Sequence, residues 1–169
     1  MKKILMMAVA LVMAVTVNAQ SEKGAMSVGG NINFGLDHGY NNIGLAPKFS
    51  YNFIDHLRGE ASFDYFFKKD DISQWGFNLN LHYVFDIKEK HGLYPLAGFA
   101  YLHQHVSIPT PYGKATANTG HAGFNLGAGY EFRVSSHFKI SAEGKLQCLW
   151  NDGESGSRGV ISIGAAYIF

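Results

Sequence analysis

From Met26 onward the chain alternates. Met26, Val28, Ile32, Phe34 and Leu36 share one parity while Ser27, Asn31 and Asn33 share the other, the period of two that a strand with unlike faces imposes. The pattern recurs over residues 43–53, 57–67 and 75–85, and returns over 122–132, 138–150 and 161–169. Residues 93–106 are less regular: Ala97, Phe99 and Tyr101 favour one phase, whereas Leu96 and Leu102 sit on the other. A bulge is expected there, and the faces are left unassigned.

The connections differ at the two ends. Residues 54–56, 87–92 and 134–137 are short, while 37–42, 68–74, 107–119 and 151–158 are on average longer and more polar. An even number of strands with short turns at one end and longer loops at the other predicts an all-β, eight-stranded antiparallel up-and-down transmembrane β-barrel.

Side-chain size decides which face points inward. The apolar parity carries Phe, Tyr, Trp and Leu in greater volume than the interior of an eight-stranded barrel holds, and the opposite parity is rich in Gly, Ala, Ser and Asn. Bulky side chains are therefore expected outside, against lipid, and small or polar ones inside. Parity also places Lys48, Arg58, Arg133, Lys139, Lys145, Glu60, Asp64, Asp86, Glu131 and Glu143 inside with His82, a balanced set of charges. Lys48 falls opposite Ser62, between Glu60 and Asp64, within reach of an ion pair with either. Lys48, Arg58, Glu60, Asp64, His82, Glu131, Glu143 and Lys145 are the expected lumen network. With the termini on the short-turn side, Phe53, Phe85, Phe132, Phe138 and Phe169 gather at one rim and Phe67, Trp75 and Trp150 at the other, as two interfacial aromatic girdles.

Composition agrees with strands. The chain has 20 Gly, 13 Phe and 9 Tyr among 169 residues, 16% charged residues and a net charge of +1. Without a basic stripe, nucleic acid is not an expected partner. Lys2 and Lys3, an apolar run over residues 4–15 and the small-residue site Val17-Asn18-Ala19 read as a secretory leader, residues 1–19, cleaved to leave a barrel of residues 20–169. The apolar run is too short to span a bilayer. The single cysteine, Cys148, makes no intramolecular disulfide.

Two stretches carry a resemblance. Phe124-Asn125-Leu126-Gly127-Ala128-Gly129-Tyr130-Glu131-Phe132 before a short turn, and a last strand ending Tyr167-Ile168-Phe169, resemble the small outer-membrane β-barrel family that includes OmpA-like transmembrane domains and OmpX/Ail-type proteins. The resemblance implies residence in the outer membrane of a Gram-negative-type bacterium, amid outer-membrane lipid and lipopolysaccharide. It also implies that Ile163, Ala165, Tyr167 and Phe169 form the insertion signal read by the outer-membrane barrel assembly machinery. With no segment after Phe169, a peptidoglycan tether is not expected.

Candidate chemistry is sparse. His103, His105 and His121 invite a surface metal site, but no Cys, Asp or Glu nearby completes a ligand set. No motif asks for a cofactor. His105-Val106-Ser107 resembles the His-x-Ser of lipid A deacylase barrels of the PagL type, in which a carboxylate on a neighbouring strand orients the histidine and the histidine activates the serine. Residues 114–123 contain no Asp or Glu, and the pair lies early in the strand order. The stretch 107–119, with Pro109, Pro111 and Tyr112, is expected to be a stiff loop that meets an extracellular ligand. The expected role is thus structural or adhesin-like, without catalysis. The alternative is a narrow porin-like pore for ions or small solutes, and the second alternative is a PagL-type enzyme.

Overall fold

The computed structural model describes residues 23–37, 40–69, 71–110, 113–151 and 154–169; the expected leader lies outside them. Nine β segments follow in order: β1 (Met26–Asp37), β2 (Tyr40–Ile54), β3 (Leu57–Lys69), β4 (Ile72–Tyr83), β5 (Phe85–Lys88), β6 (His91–Thr110), β7 (Gly113–Ser135), β8 (Phe138–Asn151) and β9 (Glu154–Ile168). Each pairs antiparallel with its neighbours, and β1 closes on β9 from Ser27↔Ile168 to Leu36↔Gly159. Closure leaves no sheet edge within the cylinder, so its backbone donors and acceptors are satisfied without water, as a lipid surround requires.

The cylinder has eight staves, because β4 and β5 are two parts of one. β4 pairs with β6 down to His82↔Leu96, β5 continues on the same partner in the same register at Phe85↔Leu93, and Val84 N–H donates to the His56 carbonyl in line with the β3–β4 pairing. The stretch 75–85 thus runs as one stave.

The irregularity expected over residues 93–106 is absent. β6 keeps one register with β7 from His91↔Phe132 to Thr110↔Gly113 and one with β4 from Ile72↔Val106 to His82↔Leu96. Leu93, Phe99 and Tyr101 point outward; Tyr94, Leu96, Ala100 and Leu102 point inward. Pattern reading failed because the inner face here is itself apolar: Val84, Tyr94 and Leu96 form one buried cluster, and Ala100, Leu102 and Leu149 another.

Elsewhere the two faces divide by chemistry. Leu81 and Ile163 are 54% and 58% exposed, whereas Asp64, His82 and Asn125 are at most 2% exposed. Glycine makes room where the lumen is tightest: a Cβ at Gly129 would run into the ring of Tyr94, its cross-strand partner.

The first and last described residues lie at the short-turn end. Lys23 N–H donates to Asp55 Oδ1 (2.8 Å), and Phe169 N–H to the Met26 carbonyl (2.9 Å). The turn at Asp55–His56 is closed by His56 at φ 67° beside a register shift between Asn52 and Ile54, the pattern of a hairpin loop that ends on a left-handed residue at a bulge. At the far end the long connections expected from composition are mostly strand. β6 and β7 stay paired beyond Val106, where β4 stops, and beyond Ala122, where β8 stops. Residues 107–110 and 113–121 are thus a two-stranded ribbon rather than a loop, with Pro109 opposite Lys114; Pro111 and Tyr112 lie outside the described residues. Residues 151 and 154–158 likewise continue the β8–β9 hairpin, from Asn151↔Glu154 to Gln147↔Arg158.

Candidate functional site

The lumen is filled by side chains from alternate residues of every stave. At the terminal end Glu131 is the hub. Its Oε2 accepts from Arg58 Nη1 at 2.7 Å and from Lys139 Nζ at 3.3 Å, while Oε1 lies 3.6 Å from Arg133 Nη2. Arg133 also pairs with Asp86 at 3.0 Å. Asp86, placed inside by parity, sits at the rim with its side chain 30% exposed, because β5 is the short end of its stave. The Arg58 guanidinium lies 5.0 Å over the Tyr94 ring, which stacks on His82 at 4.7 Å between centroids.

One level further in, Lys48 pairs with Glu60 at 3.4 Å and reaches Ser141 on β8. Lys48 does lie opposite Ser62, and of the two carboxylates flanking that position it takes Glu60. Glu143 accepts from Tyr94 Oη at 3.3 Å and lies 3.9 Å from Lys145. Glu60, His82 and Glu143 bring one ligand-type atom each within 4.8 Å of one another. Lys48 and Lys145 already compensate the two carboxylates, and Arg58 donates to His82 Nδ1. The two lysine ammoniums supply positive charge beside the carboxylates, so a divalent cation there competes with them, while His82 Nε2 and Glu143 Oε1 have no hydrogen-bond partner.

The next level is built of amides. Asp64 accepts from Asn78 Nδ2 (2.9 Å), and Asn125 Nδ2 donates to Asn78 and Asn80. Gln147 Nε2 donates to Asn78 Oδ1 (2.9 Å), and its carbonyl accepts from Arg158 Nε (2.9 Å). Arg158 Nη1 then donates to Gln74 Oε1 (2.8 Å), which also accepts from Asn42. Most of these bonds join staves that are not neighbours in the cylinder: β3 to β7, β2 to β8, β4 to β8 and β4 to β9. The lumen is crossed at each level rather than lined around its wall.

Asp86 at the rim is paired with Arg133, and Arg158 adds to the basic side chains inside. Six basic side chains (Lys48, Arg58, Arg133, Lys139, Lys145, Arg158) and four carboxylates (Glu60, Asp64, Glu131, Glu143) are buried among the described residues. Sequence reading missed Arg158 by placing it in a loop. Its parity with Val160 and Ser162 was the available signal.

Outside, Phe53, Phe67, Trp75, Phe85, Phe138 and Trp150 are exposed and Phe132 half-buried. Phe49, Phe63, Phe77, Phe99 and Phe124 are outward too, or nearly so, between the rims, so the aromatic cover is broader than two girdles. Ile163 and Tyr167 face outward and Ala165 is half-buried. Phe169 shares their parity but is only 8% exposed: it follows the last strand residue, and its ring packs edge-on against Tyr167 at 4.9 Å.

The three histidines do not converge. His103 stacks on Trp75 on the outer side (5.1 Å), while His121 pairs with the inward-facing Leu102 and lines a cavity inside the mouth. His105 belongs to a different chain of contacts. Ser107 Oγ lies 3.0 Å from His105 Nε2, and His105 Nδ1 lies 2.6 Å from Oδ1 of Asn118, its cross-strand partner. Asn118 thus stands where a carboxylate was sought in sequence and not found. An amide there orients the imidazole but supplies no charge to stabilise its protonated form.

Residues 6–169 match the family model described as "Outer membrane protein beta-barrel domain". Among solved structures, the chain resembles Ail, the attachment invasion locus protein of Yersinia pestis, at 21% identity over 87% of this chain and 99% of that one, with a TM-score of 0.61. It resembles the N-terminal β-barrel domain of Pseudomonas aeruginosa OprF at 15% identity, 87% and 98% coverage and a TM-score of 0.62. Neisserial surface protein A gives 15% identity, 86% and 96% coverage and a TM-score of 0.61. No curated protein matches the chain.

Proposed function

The chain belongs to the outer membrane protein β-barrel domain family and is an outer-membrane barrel; from that premise we propose that it is closed to solutes and acts through surface interaction, presenting its β6–β7 ribbon outside the cell. The observation that carries this reading is the crossing of the lumen by bonds such as Arg58–Glu131 and Gln147–Asn78. A path for ions needs sites that bind weakly enough to be left again, and these are occupied by mutual partners. Function then falls to the part that projects beyond the barrel, where binding segments usually lie. The neighbour from Yersinia pestis is titled an attachment invasion locus protein, which supports an attachment role for a barrel of this shape. The test is adhesion of bacteria expressing the protein with residues 107–119 replaced by a Gly/Ser linker. Reduced adhesion is expected, and adhesion equal to that of the parent counts against the ribbon.

A second reading has its own observation, the Ser107–His105–Asn118 chain on the ribbon. It supports slow acyl transfer or ester hydrolysis near the lipid surface, with Ser107 as nucleophile and His105 as base. Replacing a triad carboxylate by an amide costs roughly four orders of magnitude in kcat, so only weak activity is expected. Mass spectrometry of lipid A from cells carrying the parent or Ser107→Ala tests it; identical acyl patterns end this reading.

A further inference from the structure

At the far end of the lumen a cavity of about 390 Å³ opens among Asp37, Leu102, Gln104, His121, Leu149 and Arg158, within the usual range of roughly 300–1,000 Å³ for small-molecule sites. Arg158 is 4% exposed, and the carboxylates whose charges act on it are Asp64 and the cavity-lining Asp37. Its guanidinium is held on two edges and one face: Nε by Gln147, Nη1 by Gln74, and the plane by Phe66 at 4.4 Å. Nη2 has no hydrogen-bond partner. A buried, fixed cation with one unused donor is a ready partner for a bound anion. The cavity is amphipathic, since Leu102 and Leu149 stand beside Gln104 and His121.

We propose that this cavity binds a small organic anion, its carboxylate against Arg158 Nη2 and its apolar body on Leu102 and Leu149. Recognition at this place needs no passage through the barrel, because the amide level beneath Arg158 closes the floor, and it shares only His121 with the base of the ribbon. A carboxylate fits better than a bare inorganic anion, which leaves the two leucines uncovered. A neutral isostere leaves the guanidinium unmet.

The purified full chain, in detergent micelles with labelled leucine methyls, is titrated separately with sodium benzoate, benzyl alcohol and inorganic phosphate. Saturable shifts of the Leu102 and Leu149 methyls are expected with benzoate, with at least tenfold weaker responses to the other two. Arg158→Gln is expected to weaken benzoate at least tenfold. Leu149→Trp, which fills the cavity and leaves Arg158 in place, is expected to abolish the Leu102 shift and keeps the test decisive should Arg158→Gln fail to fold. No saturable benzoate shift, equal response to benzyl alcohol, or benzoate binding unchanged in Leu149→Trp overturns the proposal. A dominant response to phosphate overturns the carboxylate assignment.

Discussion

Arg58 on β3 reaches across the lumen to Glu131 on β7, with Nη1 2.7 Å from Oε2 and both side chains almost fully buried. Two other cations, Lys139 and Arg133, lean on the same carboxylate. One carboxylate is therefore shared by three cations, of which Arg133 is held more closely by Asp86. Removing one partner of a buried pair typically costs about 3–5 kcal/mol, since the charge left behind is uncompensated, whereas replacing both by apolar groups is often neutral. Glu131→Ala is expected to destabilise the barrel by at least that amount. Arg58→Leu combined with Glu131→Leu should cost less than the sum of the two single changes. Equilibrium urea unfolding in lipid vesicles, followed by tryptophan fluorescence, provides the comparison.

Tyr94 and Gly129 are a size pair. Gly129→Val drives a branched side chain into the Tyr94 ring, and overpacking of this kind costs roughly 1–3 kcal/mol. Tyr94→Ala in the same chain should recover part of the loss. Full additivity of the two changes in unfolding experiments would show that the contact does not govern the site.

The outward face is tested by charge. Leu79, 49% exposed in the middle of β4, faces lipid, and an arginine near the bilayer midplane costs roughly 2–4 kcal/mol. Leu79→Arg is therefore expected to unfold at lower urea concentration in vesicles. An unchanged midpoint would place this face against water or protein instead.

The ribbon contributes little to the cylinder. Apart from the Ser107 N–H bond to the Asp71 carbonyl, its residues lie beyond the last pairings with β4 and β8, so trimming the hairpin beyond Ser107 to an Asn-Gly turn should leave unfolding within about 0.5 kcal/mol of the parent, the usual range for changes away from packed features. A loss of several kcal/mol would mean that the ribbon folds back onto the barrel.

Much of this architecture was legible in the sequence, for a physical reason. Where one face meets lipid and the other a polar interior, as in β1 to β4 and β7 to β9, side-chain chemistry repeats with the period of the strand. Residues 93–106 resisted because Tyr94, Leu96 and Leu102 make the inner face apolar too, which removes the contrast. Polar residues at the far end read as loops although they are paired strands: backbone pairing is independent of hydropathy, so residues 107–119 and Arg158 were misplaced. The position of Lys48 opposite Ser62, within reach of Glu60 or Asp64, followed from counting back from the Asp55 turn, whereas the choice of Glu60 did not. Cross-lumen partners such as Arg58–Glu131 did not, since they depend on how the cylinder closes. Asn118 was passed over because only a carboxylate was sought beside His105.

The claim that the lumen is shut is tested most directly by single-channel conductance of the refolded protein in a planar bilayer, alongside a Lys48→Ala, Lys145→Ala variant. The crossed lumen predicts silence from the parent. Steady, ion-selective steps from the parent, altered in the variant, would contradict it and make the inner charges the lining of a pore.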